Sequence, residues 1–125
     1  MRFFLIALVA VLGITGCKKE NTPSLVLDEK IDPKVMAMQK STGNFSNGPW
    51  GTVSGTAKIY AVGDEIKLAL EGFSSSNGPN LMVYLSKEKE PVNFINLGDL
   101  KATGGNQLYD IPSTVKDGDY KYALI

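Results

Sequence analysis

TAKIYAVGDEIKLALE, residues 56–71, is the stretch that decides the fold. Ala57, Ile59 and Ala61 alternate with Lys58 and Tyr60, and beyond Gly63-Asp64 the alternation resumes with Ile66, Leu68 and Leu70 against Lys67 and Glu71. A period of two places successive side chains on opposite faces of an extended chain, so each run reads as a half-buried strand. Gly63 and Asp64 fill the two positions of a tight hairpin turn, with Gly63 supplying the positive φ of a type II′ turn. The two strands are expected to pair antiparallel.

Further strands follow on the C-terminal side. Leu81, Val83 and Leu85 form a third apolar face after the turn-rich stretch Ser74–Pro79, and Phe94–Leu97 forms a fourth after the charged loop Lys87–Pro91. Leu108–Ile111 and Tyr120–Ile125 read as two more, separated by Pro112 and the turn Asp117-Gly118-Asp119. Short strands at a spacing of about ten residues predict an all-β fold, a small antiparallel β-sandwich or barrel of short strands. On the N-terminal side, residues 18–40 carry Pro23, Pro33, mixed charge and no sustained period, which predicts a tether. Asp32 before Pro33 is a start signal for a short helical turn through Val35 to Lys40. Met36 and Met38 do not share a helical stripe and point to packing or exposure rather than metal binding.

The first 17 residues, MRFFLIALVAVLGITGC, place Arg2 before an apolar run and small residues before a cysteine, the layout of an export signal. The apolar run is too short for a spanning helix, which needs about 20 residues. Ile14, Thr15, Gly16 and Cys17 resemble the lipobox of bacterial lipoproteins. The resemblance implies removal of residues 1–16, acylation of Cys17 with palmitate-class chains, and a membrane partner reached through that lipid. Each buried methylene contributes about 0.8 kcal/mol, so several chains hold firmly. Lys18 after the cysteine resembles an outer-membrane address in diderm bacteria. Residues 17–40 are then the lipidated N-terminus and tether, and residues 41–125 a single domain at the extracytoplasmic face of the cell envelope.

Lys and Arg together number 13, as do Asp and Glu, so net charge is zero and no basic face for nucleic acid is expected. Histidine is absent and Cys17 is the sole cysteine. That removes Ser-His and Cys-His nucleophiles, His-ligated zinc and the usual haem ligand, and with Cys17 acylated no internal disulfide can form. No catalytic constellation is left, no cofactor can be assigned, and the chain is not expected to be an enzyme. The closest carboxylate pairs, Glu88/Glu90 and Asp64/Glu65, are flanked by Lys87, Lys89 and Lys67 and read as solvated. Asp110, Asp117 and Asp119 match no calcium loop. Ser86 and Lys87 are adjacent strand residues and point apart. Trp50, Phe45 and Phe73 read as core or edge-covering aromatics, whereas an exposed trio on one face would suggest a sugar or protein partner.

Thr42–Phe45 with Val53, Ser54 and Gly55 resembles a family opening of glycine, x, phenylalanine, then serine-glycine, and Leu68–Phe73 its next strand. Gly78, Pro79, Asn80 and Leu81 with Val83, Tyr84, Leu85 and Ser86, then Leu97, Gly98, Leu100, Lys101, Gly105, Gln107, Tyr109, Ile111 and Pro112, are similar to the rest of its pattern. Together, over residues 41–125, they resemble the electron-transfer DM-thirteen domain, a β-sandwich related in outline to DOMON-type modules. The resemblance implies an electron-transfer role with an envelope redox or protein partner. In that family the role is tied to a cysteine in the strand after the position of Tyr120–Ile125; no such cysteine follows here, so the domain is expected to be C-terminally incomplete and its redox role impaired. Asn80 stands where the family has aspartate. The second reading is a non-catalytic envelope binding or adhesion module.

Overall fold

A computed structural model describes residues 21–116 and 118–125; the signal segment, Cys17 and Asp117 lie outside the described residues. The strands are β1 (Val26–Asp28), β2 (Ala37–Asn44), β3 (Val53–Val62), β4 (Glu65–Ser75), β5 (Met82–Ser86), β6 (Phe94–Asp99), β7 (Gly104–Ile111) and β8 (Tyr122–Leu124). They form a five-stranded sheet in the order β1-β7-β4-β3-β2 and a three-stranded sheet in the order β6-β5-β8. All pairs are antiparallel except β1 with β7, which is parallel. The expected all-β sandwich is the observed architecture.

The hairpin that opened the reading is β3–β4. Val62 pairs with Glu65 across Gly63-Asp64, Gly63 has φ +60°, and Asp64 does not share the positive φ, as a type II′ turn requires. Leu68, Leu70 and Phe73 of β4 meet Val83 and Leu85 of β5 and Tyr109 and Ile111 of β7 in one core between the sheets, with Leu100 from the connection after β6. Phe45 packs edge-on against Phe73, ring centroids 5.5 Å apart. Gln107 is buried in this core. Its amide donates to the carbonyls of Ala102 (2.7 Å) and Gly104 (3.4 Å), and its own carbonyl accepts the Tyr109 hydroxyl, which in turn accepts the Lys101 amide at 2.9 Å.

Two expectations are corrected. Residues 21–40, read as a tether, join the sandwich: Asn21 bridges Pro79, Thr22 is buried, β1 pairs with β7, and β2 begins at Ala37. The helical turn from Val35 to Lys40 does not form. Asp32 does cap, its carboxylate accepting the Lys34 amide and its carbonyl the Val35 amide, each at 2.9 Å. The cap closes a single turn, after which pairing with β3 draws the chain into β2.

β1 and β2 stand at opposite edges of the five-stranded sheet, four strand spacings or about 19 Å apart. The eight residues Glu29–Met36 between them reach about 26 Å fully extended, so they can cross the sheet as a strap with room for the one turn at Asp32. They cross the face turned away from the core, the one bearing Tyr60, Ala69, Glu71 and Leu108.

Close backbone approach holds the strap's first strand. Gly105 has φ +92°, and a Cβ there would run into the Leu27 backbone, 2.7 Å from its nitrogen. Gly105→Ala is therefore expected to free β1 while the β3–β4 hairpin persists, read as loss of hydrogen-exchange protection at the Leu27 amide. Tyr109→Phe leaves the buried Gln107 carbonyl without its donor and should cost about 1–3 kcal/mol in denaturant unfolding. Burial pushes the Tyr109 phenol up to about 12 from an ordinary value of 10.0. A phenol raised on folding stabilises fully below the unfolded value and loses that contribution as pH climbs through the folded one. Wild type should therefore weaken from pH 10 upward relative to Tyr109→Phe, by up to roughly 3 kcal/mol.

Candidate functional site

An open cleft of about 570 Å³ lies between the strap and the sheet beneath it. Its floor is Tyr60, Ala69, Glu71, Asn106 and Leu108, and its roof is the strap from Glu29 to Ala37. The floor follows from strand alternation, since these are the outward partners of Ile59, Leu68, Leu70, Gln107 and Tyr109. Register sets their neighbours. Tyr60 lies opposite Lys67 and Lys58 opposite Ala69, with Glu71 one same-face position beyond Ala69. The small Ala69 side chain lets Tyr60 reach along the face, where its hydroxyl donates to Glu71 at 3.2 Å, while Lys58 pairs with Glu71 at 2.7 Å.

The strap is fastened where it leaves β1. Asn106 donates to Asp28 (2.8 Å) and accepts the Gly72 amide (3.0 Å), meeting the β4 bulge. Glu29 accepts the Leu108 amide at 3.1 Å and Lys101 at 2.9 Å. Lys67 binds Asp110 at 2.6 Å and Glu65 at 3.5 Å. Hydrogen bonds from Asn106, Lys101 and Lys67 hold Asp28, Glu29 and Asp110, respectively, below the usual carboxylate range. Those shifts keep the carboxylates ionised, the opposite of what a general acid needs. The Lys58 ammonium is raised by its bond to Glu71, and the Tyr60 phenol is raised by burial first and the Glu71 charge second. The arrangement suits holding a partly apolar ligand by hydrogen bonds at its rim.

The residues singled out in the sequence are scattered. Glu88, Glu90, Asp64 and Glu65 are exposed, and Asp119 accepts the Lys116 amide at 2.8 Å, a turn contact, far in role from Asp110, which pairs with Lys67. Among the described residues no cluster of His, Cys, Asp and Glu side chains is placed to hold a metal ion. Ser86 is buried and organises the following loop, donating to the carbonyls of Glu90 (2.8 Å) and Val92 (3.1 Å) and accepting the Glu88 amide at 3.2 Å. Asn80 takes φ +57°, a left-handed turn position that suits asparagine. Phe73 is core with the half-buried Phe45 packed against it, and Trp50, Met36 and Met38 are exposed. The Tyr60–Glu71–Lys58 group was not singled out, although the register counted from the Gly63-Asp64 turn brings those positions together. Glu71→Gln is expected to lower the Tyr60 titration towards the ordinary phenol value, followed as phenolate absorbance against a Tyr60→Phe control; an unmoved titration would show that burial alone sets it.

No curated protein and no solved structure matches the chain. The family described as Electron transfer DM13 matches residues 44–125, from the last residue of β2 through β8. The matched part supplies the floor of the cleft, and the strap precedes it. This chain belongs to the Electron transfer DM13 family.

Proposed function

We propose that this protein is a cell-envelope lipoprotein, acylated at Cys17 and held at the extracytoplasmic face of a membrane, whose sandwich takes part in electron transfer. Membership of the Electron transfer DM13 family over residues 44–125 is the observation that supports the role. The export segment and the Ile14-Thr15-Gly16-Cys17 sequence support the address. These 125 residues contain no histidine, and their one cysteine is the proposed acylation site. A second reading, a non-catalytic binding module, is favoured by the cleft under the strap, which offers a partly apolar floor with polar groups at its rim.

Mass spectrometry of the protein extracted from membranes tests the address. The N-terminal peptide is expected to begin at Cys17 and to carry acyl chains, and Cys17→Ser is expected to accumulate as an uncut precursor; a mature form cut elsewhere would sink the lipoprotein reading. The absorption spectrum of the same material separates the roles. A bound chromophore that changes on reduction fits electron transfer, and a colourless protein unaffected by reductant leaves the binding module.

A further inference from the structure

Cys17 stands four residues before Asn21, where the described fold begins with the bridge to Pro79. Asn77 fixes the incoming chain there, accepting the Thr22 amide at 3.1 Å and donating to the Thr22 carbonyl at 2.7 Å and to Ser24 at 3.0 Å. Four residues span at most about 14 Å, less than the width of the sandwich's larger sheet. A lipid on Cys17 therefore brings one particular end of the sandwich to the membrane.

That end has its own composition. Val26, Gly104, Ser74 and Ser54 pair in one row across the sheet, and Val53 pairs with Ser75 one step further out. Beyond this row lie Leu25 and the loop carrying Trp50, which is pinned by hydrogen bonds from Ser76 to the Thr52 carbonyl (2.9 Å) and from the Thr52 amide to the Ser76 hydroxyl (3.1 Å). Trp50 is 96% exposed, Val26 82% and Leu25 47%. Residues 21–27, 41–57, 72–86 and 102–109 contain no charged side chain. Asp99, opposite Met82, is a charge the register brings towards this end, while Lys101 turns away to Glu29. The far end holds Asp64, Glu65, Lys67, Asp110, Lys116 and Asp119 together with the loop Lys87–Glu90.

We propose that this charge-poor end of the sandwich rests on a phospholipid leaflet, with Trp50 in the interfacial region and Leu25 and Val26 on the β1 edge of the same end, three strand spacings or about 14 Å from β3. Tryptophan suits that layer because its ring is apolar and its N–H can still reach water or a headgroup. Among the described residues the register brings only Asp99 towards this end, which keeps small the cost of taking ions out of water, while Lys18, Lys19 and Glu20 adjoin the lipid-bearing Cys17 in the sequence. Single exposed apolar residues are ordinary on soluble proteins; here three share the end to which the lipid is tied. The inference rests on the acylation of Cys17 proposed above.

Trp50 is the only tryptophan in the chain, so intrinsic fluorescence reads its surroundings directly. Full-length processed protein, its acylation checked by mass, is reconstituted into phosphatidylethanolamine–phosphatidylglycerol vesicles with and without brominated acyl chains. For a ring held about 5–10 Å into the interface, bromine near the headgroup end should quench emission roughly twofold and iodide in the water should lose most of its effect. A Trp50→Phe, Lys116→Trp protein moves the fluorophore to the far end, where bromolipid should have no effect and iodide full effect. Acylated wild type that iodide quenches freely and bromolipid does not would overturn the proposal while leaving the anchor intact. Protection from both quenchers would place Trp50 against protein, a second copy included, and would overturn it too. An unacylated product would remove the anchor and this inference together.

Discussion

A chain that enters a five-stranded sheet at one edge and leaves at the other has to cross a face, and here it has eight residues, Glu29–Met36, to do so. That constraint decides the rest. Crossing over the inner face would have displaced the three-stranded sheet and left Leu68, Leu70 and Phe73 without Val83 and Leu85. Crossing over the outer face leaves the core to the two sheets and turns a surface that would otherwise be wet into the floor of a cleft. The crossing must also satisfy peptide groups lifted from the sheet. Asn106, Glu29 and Asp32 serve there: the Glu29 amide donates to the Asn106 carbonyl, and Asp32 closes the turn that takes up the slack.

How legible this was in the sequence depended on whether a segment buries one face. Residues 56–71 do, and their period of two, with Gly63-Asp64 between, fixed both strands and their register. β2 buries nothing: Ala37–Asn44 is an edge strand exposed along its length, so no apolar alternation marks it, and Lys40 sits at a bulge that discourages further pairing. β1 is three residues held by a parallel backbone ladder against Gly104 and Gly105, a signal that lies in the glycines of β7 rather than in β1 itself. The Asp32-Pro33 start signal marks a cap but no helix follows, because a cap states how a turn begins and not whether the next residues have a strand waiting. Tyr60, Lys58 and Glu71 could be aligned from the hairpin register, but nothing in their spacing announces the strap that covers them.

The cleft therefore has two origins. Its floor lies within residues 44–125, the part that matches Electron transfer DM13, and its roof is supplied by the residues before it. Around the cleft, Lys58, Lys67 and Lys101 are each set against a carboxylate. Exposed pairs of this kind add little to stability, usually below about 1 kcal/mol each. Their larger effect is on position: they hold Glu71 beside Tyr60 and Glu29 at the root of the strap, so the rim of the cleft is set before anything enters it.

Anchor and cleft constrain each other. If Cys17 carries the proposed lipid, its separation of four residues from Asn21, at most about 14 Å, keeps the sandwich close to the surface that holds it. With the charge-poor end on the leaflet, β3 rises away from the membrane, and the Lys58–Tyr60 stretch stands five to seven residues above Val53, or about 17–23 Å up the strand. On that proposed orientation the strap would face sideways at that height, clear of both the lipid and the far end. A partner would meet the cleft by approaching along the membrane, whereas the charged far end, with Asp64, Glu65 and the Lys87–Glu90 loop, is what a molecule arriving from the aqueous side encounters first. On the proposed orientation, the direction in which the cleft opens would follow from the short separation of Cys17 and Asn21 as much as from the shape of the cleft.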